Sequence, residues 1–189
     1  MIKTNLSAFD HGQIVSKLWL CKTLEKYAGS DSHIVYVLGC WHGVTGFLLE
    51  TRGNIDITSL YGLDLDPVAI EVAKEINVAW VYPYKHHYLV ADASNHVFDP
   101  KPSIVINTSA EHFLDYNWFE SLDSGTIVAI QESKMPDDKP FHDDTFYNSR
   151  ATLNEFDSVY PMSTTLYLDQ IEISYPEWGY TRYMKIGVI

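Results

Sequence analysis

Five apolar residues in a row, Ile34 to Leu38, run into a turn that carries Gly39, Gly43 and Gly46, and a second run, Tyr61-Gly62-Leu63, ends on Asp64. An uninterrupted apolar run suits a strand covered on both faces. Glycines after it let the backbone turn sharply and approach a ligand with no Cβ in the way. The pattern reads as a strand, a turn, a helix and a second strand ending on a carboxylate, which is how an open α/β sheet builds a nucleoside pocket. The helix after the turn presents its free N–H groups and the positive end of its dipole to whatever is bound there. Asp64 is placed to accept ribose hydroxyls, whereas Asp66, followed by Pro67, reads as a helix N-cap with proline in the first helical position.

The turn also narrows the choice of ligand. A dinucleotide fingerprint needs Gly-x-Gly-x-x-Gly with its acid about 20 residues further on. Here Trp41 stands in the place of the middle glycine and Asp64 lies 25 positions after Gly39. A pyrophosphate has little room at such a turn, and a ribose without phosphate fits it better. A dinucleotide oxidoreductase is therefore the least favoured reading of this fold class.

Elements of the two kinds alternate along the chain. A helix is expected over Asp10 to Tyr27, from Ile14, Leu18, Cys21 and Leu24 at helical spacing, with Gly29 as its stop, and residues 1–30 form an N-terminal helical segment. Strands follow at 34–38, 59–64, 87–91, 103–107 and 126–131, with helices at Gly43 to Glu50, Pro67 to Val78 and 111–121. Strands separated by helical patterns imply parallel pairing with right-handed crossovers. After Gln131 the pattern changes. Residues 132–147 contain two prolines and five acids, which suits either a lid over the crevice, its acids selecting a cationic substrate, or a solvated loop. A short helix bearing Leu153 and Phe156 comes next, then two long strands at Thr164 to Ser174 and Gly179 to Val188, joined as an antiparallel hairpin by Tyr175-Pro176-Glu177-Trp178.

Bulk properties set outer limits. A chain of 189 residues with 46% apolar and 14% aromatic content can fill one sizeable core, and the whole of 1–189 is expected to form a single domain. A formal charge of −12 opposes direct approach to nucleic acid. Cys21 and Cys40 are too few for a disulfide framework and suit free thiols in a reducing cytosol, and Cys40 reads as a small turn residue rather than a nucleophile. No segment approaches the 18 or so apolar residues of a membrane span, so a soluble cytoplasmic protein is expected. His86 and His87 are adjacent and point to opposite faces of a strand, and with no ligand spacing elsewhere no metal is expected.

From Ile34 onward the chain resembles the class I S-adenosylmethionine-dependent methyltransferases. Gly39 to Gly46 stands for the first motif, Leu63-Asp64 for the second, and Tyr88-Leu89-Val90-Ala91-Asp92-Ala93 for the third, where an Asp meets the adenine amino group. Ser103-Ile104-Val105-Ile106-Asn107 stands for the fourth strand. Two positions depart from the family: Val37 replaces the usual acid near the methionine end of the cofactor, and Trp41 replaces a glycine. The resemblance implies a Rossmann-like, doubly wound α/β fold, with a mostly parallel seven-stranded sheet, helices on both faces and an antiparallel C-terminal hairpin. It also implies S-adenosylmethionine as cofactor, held by Gly39, Cys40, Trp41, Gly43, Asp64, Leu65, Asp92, Ala93 and Asn107. Methyl transfer to a small molecule or an exposed side chain is the activity implied. Transfer of the aminocarboxypropyl arm, and a noncatalytic module that binds S-adenosylmethionine or another nucleoside, are its alternatives.

Residues at the carboxyl ends of parallel strands face the ligand crevice, so transfer chemistry is expected at Asn107, Glu111 and His112. Imidazole is suited to taking an acceptor's proton. Thr108-Ser109-Ala110-Glu111 reads equally as a capping box in which Glu111 reaches back to the Thr108 amide. The prolines and aromatic residue of the motif used by amino methyltransferases on bases and glutamines are missing here. Gln131 and Ser133 end a strand and suit a polar substrate group or a plain strand terminus. Arg182, among Tyr175, Trp178, Tyr180 and Tyr183, suits a bidentate carboxylate contact or, more simply, a surface ion pair.

Overall fold

The computed structural model describes residues 6–78, 85–134 and 147–189. A short 3₁₀ turn, Leu6–Phe9, leads into α1, His11–Ala28. Asp10 caps α1 by accepting the Gln13 N–H at 2.8 Å, and Gly29 ends it with φ at 77°. Then come β1, His33–Leu38; α2, Val44–Arg52; β2, Ile57–Asp64; α3, Pro67–Val78; and β3, His86–Val90. Asp66 accepts the Val68 N–H at 2.8 Å, which is the cap expected at the start of α3. The second half supplies β4, Ile104–Asn107; α4, Asn117–Glu120; β5, Ile127–Lys134; α5, Leu153–Val159; β6, Thr164–Ser174; and β7, Gly179–Val188.

The seven strands form one sheet in the order β3-β2-β1-β4-β5-β7-β6. All pairs are parallel from β3 through β5, and β7 runs antiparallel to both β5 and β6. The strand order reverses between β1 and β4, so their carboxyl ends flank a crevice at the topological switch point. Alternation along each strand divides the core. Val35, Val37, Leu60, Ile104, Ile106, Ala129 and Met184 pack with α1, α2 and α3 on one face. On the other, Tyr36, Leu38, Leu63, Val105, Val128, Ile130 and Tyr183 pack with Trp118 and Phe119 of α4, Phe156 of α5 and Tyr160 just beyond it. Apolar burial on both faces is what holds a parallel sheet together.

Three expectations need correction. The helix anticipated over 111–121 is two pieces, a 3₁₀ turn at Ala110–His112 and then α4. It breaks because the Glu111 carbonyl accepts N–H groups from Tyr147 and Asn148, at 2.9 and 3.1 Å, instead of continuing the helical ladder. Asp115 then accepts the Asn117 N–H at 3.1 Å and opens the second piece. The loop placed at 132–147 begins later, since β5 continues to Lys134; its centre, with His142, Asp143 and Asp144, lies outside the described residues. Arg182 is not in a surface ion pair but is buried. Among the described residues no helix is long and apolar enough to cross a membrane, and no group of three or more His, Cys, Asp or Glu side chains converges as a metal site.

Candidate functional site

The turn after β1 is drawn tight by its backbone. Gly39, Trp41 and Gly43 all adopt positive φ, at 59°, 46° and 70°. Trp41 thus holds a conformation that glycine takes freely and other residues take at a cost of about 1–2 kcal/mol. The Cys40 N–H donates to Leu63 O at 2.9 Å, and the Trp41 N–H donates to Asp64 Oδ2 at 2.8 Å. Asp64 Oδ1 accepts the Asp66 N–H at 3.0 Å. Each carboxylate oxygen has therefore spent one lone pair on an amide and keeps another for a ligand. Asp64 itself is half-buried, at the carboxyl end of β2.

The neighbouring positions suit a nucleoside. Leu65 is 70% exposed beside Asp64, an apolar surface against which a base can lie. Asp92 is exposed at the end of β3, where it caps a 3₁₀ turn by accepting the Ser94 N–H at 3.0 Å and Asn95 Nδ2 at 2.8 Å, and Ala93 is buried next to it. A Cβ added at Gly39 would lie 3.3 Å from the Ser109 Cβ, so a side chain there would crowd the segment after β4 as well as strain a backbone at positive φ. No side chain caps the start of α2, and its first N–H groups have no partner within the helix. These features fit the adenosine portion of S-adenosylmethionine.

Not every expected contact is available as a side chain. Cys40 is buried, with its thiol pushed well above the ordinary range by desolvation and then by the Asp64 charge, so only its backbone can face a ligand. The Trp41 ring is half-buried against the α1–α2 side of the core, with its centroid 5.0 Å from that of His42. Val37 lies wholly within that core, so β1 offers no acid.

Beyond β4 the expected catalytic residues part company. Asn107 is fully buried; its Oδ1 accepts the Ser109 N–H at 2.9 Å while Nδ2 has no partner. His112 is exposed on the 3₁₀ turn. Glu111, 3% exposed, forms no capping box but pairs with Arg182, also 3% exposed, Oε1 to Nη1 at 2.9 Å. Arg182 reaches this position because its strand residue pairs with Ser133 across β5 and β7, and it also donates to Ser133 Oγ and to the Thr108 carbonyl. Gln131 faces α1, where Nε2 donates to Ser16 O at 2.9 Å.

Two ionisable residues escaped the sequence reading. Lys17 of α1 is 6% exposed and donates to Gln13 Oε1; burial, then the Arg182 charge, lowers its pKa to about 7. Glu132 is fully buried, accepts the Arg150 N–H, and is raised by burial to about 8. A signal for Lys17 was present: it stands three residues after Ile14 and four before Cys21, on the apolar side of its own helix. Glu132 sits between Gln131 and Ser133 at the end of an apolar strand, and three polar residues in succession at that point were the corresponding signal.

The sheet order, the reversed last strand and the crevice between β1 and β4 together define the class I methyltransferase fold. No protein-family description matches the chain, and no curated protein matches it in sequence. Solved structures do. The N-methyltransferase NodS from Bradyrhizobium japonicum WM9, in complex with S-adenosyl-L-homocysteine, superposes with a TM-score of 0.66 at 13% identity, covering 94% of this chain and 88% of NodS. A candidate sarcosine dimethylglycine methyltransferase from Galdieria sulphuraria gives 0.69 at 15% identity, covering 93% and 86%. A chain of the complex between the Haloferax volcanii Trm112 methyltransferase activator and a candidate methyltransferase gives 0.65 at 16%, covering 93% and 92%.

Proposed function

We propose that the chain is an S-adenosylmethionine-dependent methyltransferase acting on a small molecule or an exposed side chain. The observation that carries this reading is Asp64: a half-exposed carboxylate at the end of β2, oriented by the amides of Trp41 and Asp66 and keeping lone pairs for two ribose hydroxyls. Leu65 and Ala93 would hold the base, Asp92 its amino group, and the Gly39–Gly43 turn the ribose and the methionine end. When bound, the cofactor supplies a methyl group made electrophilic by its sulfonium. The contribution of this chain is alignment: Asn107 Nδ2, unpartnered and buried at the carboxyl end of β4, is a donor that would help to hold the acceptor in line. His112, at the exposed side of the same turn, takes the proton that the acceptor releases. Glu111 orients Arg182 through their buried ion pair. NodS, described as an N-methyltransferase, supports an amine as one acceptor class.

Binding is tested by following thermal unfolding with S-adenosylmethionine, S-adenosylhomocysteine, NAD and NADP at matched concentrations, since a ligand that prefers the native state raises its stability by mass action. Stabilisation by the two sulfur ligands alone is the expected result; a response to NAD alone overturns the cofactor reading. With an acceptor in hand, S-adenosylhomocysteine is the expected product, and methylthioadenosine in its place overturns methyl transfer.

A further inference from the structure

The turn after β1 packs against Tyr88, a buried side chain of β3. Three glycines make room for its ring. A Cβ added at Gly62 of β2 would lie 2.5 Å from Tyr88 Cδ1, and one at Gly43 or Gly46 would lie 3.0 or 2.8 Å from the Tyr88 hydroxyl oxygen. The phenol therefore fills the space between β2 and the first turn of α2, with the N-cap of α2, Gly43, at its hydroxyl end. That hydroxyl is fixed in its turn. It lies 3.2 Å from His86 Nδ1, and His86 Nε2 lies 3.3 Å from Glu50 Oε1. Lys85 Nζ holds the same carboxylate, 2.8 Å from Oε1 and 3.0 Å from Oε2. Burial raises the pKa of Glu50, but hydrogen bonds from His86 and Lys85 outweigh it and keep the group below its ordinary range. An ionised carboxylate only accepts, so His86 Nε2 carries a proton; Nδ1 of the neutral ring then accepts, and the Tyr88 O–H donates to it. The phenol is a permanent donor, since burial, then the charges of Cys40 and Glu50, push it well above its ordinary range.

We infer that Glu50, His86 and Tyr88 act as one positioning unit for the cofactor turn, holding the Gly39–Gly43 backbone in the conformation that receives the nucleoside. The identity of that ligand rests on the methyltransferase reading above; the coupling of the three side chains to the turn does not. A turn with Gly39, Trp41 and Gly43 all at positive φ persists only when its surroundings over-determine it. Asp64 ties it from β2 through the Trp41 N–H. Tyr88 supports it from β3, and Asn77 of α3 donates from Nδ2 to Gly43 O at 3.4 Å. A ligand that needs the formed turn binds with an affinity reduced by the fraction of molecules in which the turn is formed. Side chains remote from the ligand therefore set its affinity, through the backbone that they hold. The sequence gives His86 no metal partner; its two ring nitrogens are occupied instead by the phenol and the carboxylate.

Calorimetric titration of the intact chain with S-adenosylhomocysteine, together with the amide NMR signals of Gly43 and Gly46, tests the inference in wild type, Tyr88→Phe, His86→Leu and the double variant. Tyr88→Phe keeps the ring and deletes only the hydroxyl, so it should fold, which urea unfolding checks. Each single change should weaken S-adenosylhomocysteine binding by about fivefold, the worth of one hydrogen bond. The double variant should bind no more weakly than either single one, because both break the same chain of contacts. The Gly43 and Gly46 amide signals should move in His86→Leu as they do in Tyr88→Phe. Wild-type affinity in Tyr88→Phe, losses that multiply in the double variant, or a loss of stability with affinity and glycine signals intact each overturns the positioning role. Should His86→Leu not fold, Tyr88→Phe decides alone. Failure of the wild type to bind S-adenosylhomocysteine overturns the cofactor reading instead, and the glycine signals then decide the coupling.

Discussion

The backbone N–H of Trp41 donates to Asp64 Oδ2 across 2.8 Å, which ties the turn after β1 to the carboxylate that ends β2. The two halves of the proposed nucleoside site are thereby one unit: the turn fixes the carboxylate, and the carboxylate fixes a turn in which a tryptophan sits at φ 46°. Asp64→Ala removes both the ribose acceptor and the partner of the turn amide. Its affinity for S-adenosylhomocysteine should fall by about 1–3 kcal/mol, read by calorimetry on folded protein. Asp64→Asn keeps one amide acceptor and should lose less. Wild-type affinity in Asp64→Ala would exclude contact between this carboxylate and the ribose.

The Glu111–Arg182 pair joins the segment after β4 to β7, and its two side chains are almost entirely withdrawn from water. Removing one partner strands the other charge in the interior, so Glu111→Leu should cost about 3–5 kcal/mol in urea unfolding. Glu111→Leu combined with Arg182→Met should cost far less than the sum of the single changes, because apolar side chains of similar volume need no partner. Additive losses would show that the two residues do not act as a pair.

Lys17 and Glu132 predict a stability curve with a trough near neutrality. Glu132 has its folded pKa raised to about 8 from an ordinary 4.5; its favourable contribution is complete below about pH 4.5 and is lost as pH rises toward 8. Lys17 has its folded pKa lowered to about 7 from 10.5; its contribution is complete above about pH 10.5 and is lost as pH falls toward 7. Each is worth on the order of a few kcal/mol at its favourable end. Chemical denaturation across this range should show stability declining from pH 5 to 7 and rising again above 8. Glu132→Gln should flatten the first limb and Lys17→Met the second. A curve unchanged by both substitutions would mean that neither group titrates differently on unfolding.

Both cysteines are buried and both thiols are raised, Cys21 to about 12 by desolvation and then Glu25, and Cys40 well above its ordinary range. Neither presents a thiolate at neutral pH. A water-soluble disulfide reagent should modify neither in the native protein at pH 7.5 and both after denaturation. Rapid native labelling at Cys40 would indicate that the turn opens.

Local sequence determined much of this fold. The apolar run at 34–38, the Asp66-Pro67 cap and the turn residues at 175–178 each act over a few residues, and the elements they imply form close to where expected; α3, β6 and β7 have the expected limits. Asp64 was legible for the same reason, since a strand's end is fixed by its own neighbours. What only the tertiary structure decided depends on pairing between distant segments. Thr108-Ser109-Ala110-Glu111 has the letters of a capping box, yet Glu111 pairs with a guanidinium 71 positions away instead of the Thr108 amide. Arg182 looked like a surface residue until the β5–β7 register set it opposite Ser133 and beneath α1. Lys17 lies on a helix whose burial was predictable, whereas the charges that meet it come from the turn after β4 and from the last strand. Short-range hydrogen bonding and alternation are written in adjacent residues; the balance of buried charge belongs to the assembled sheet.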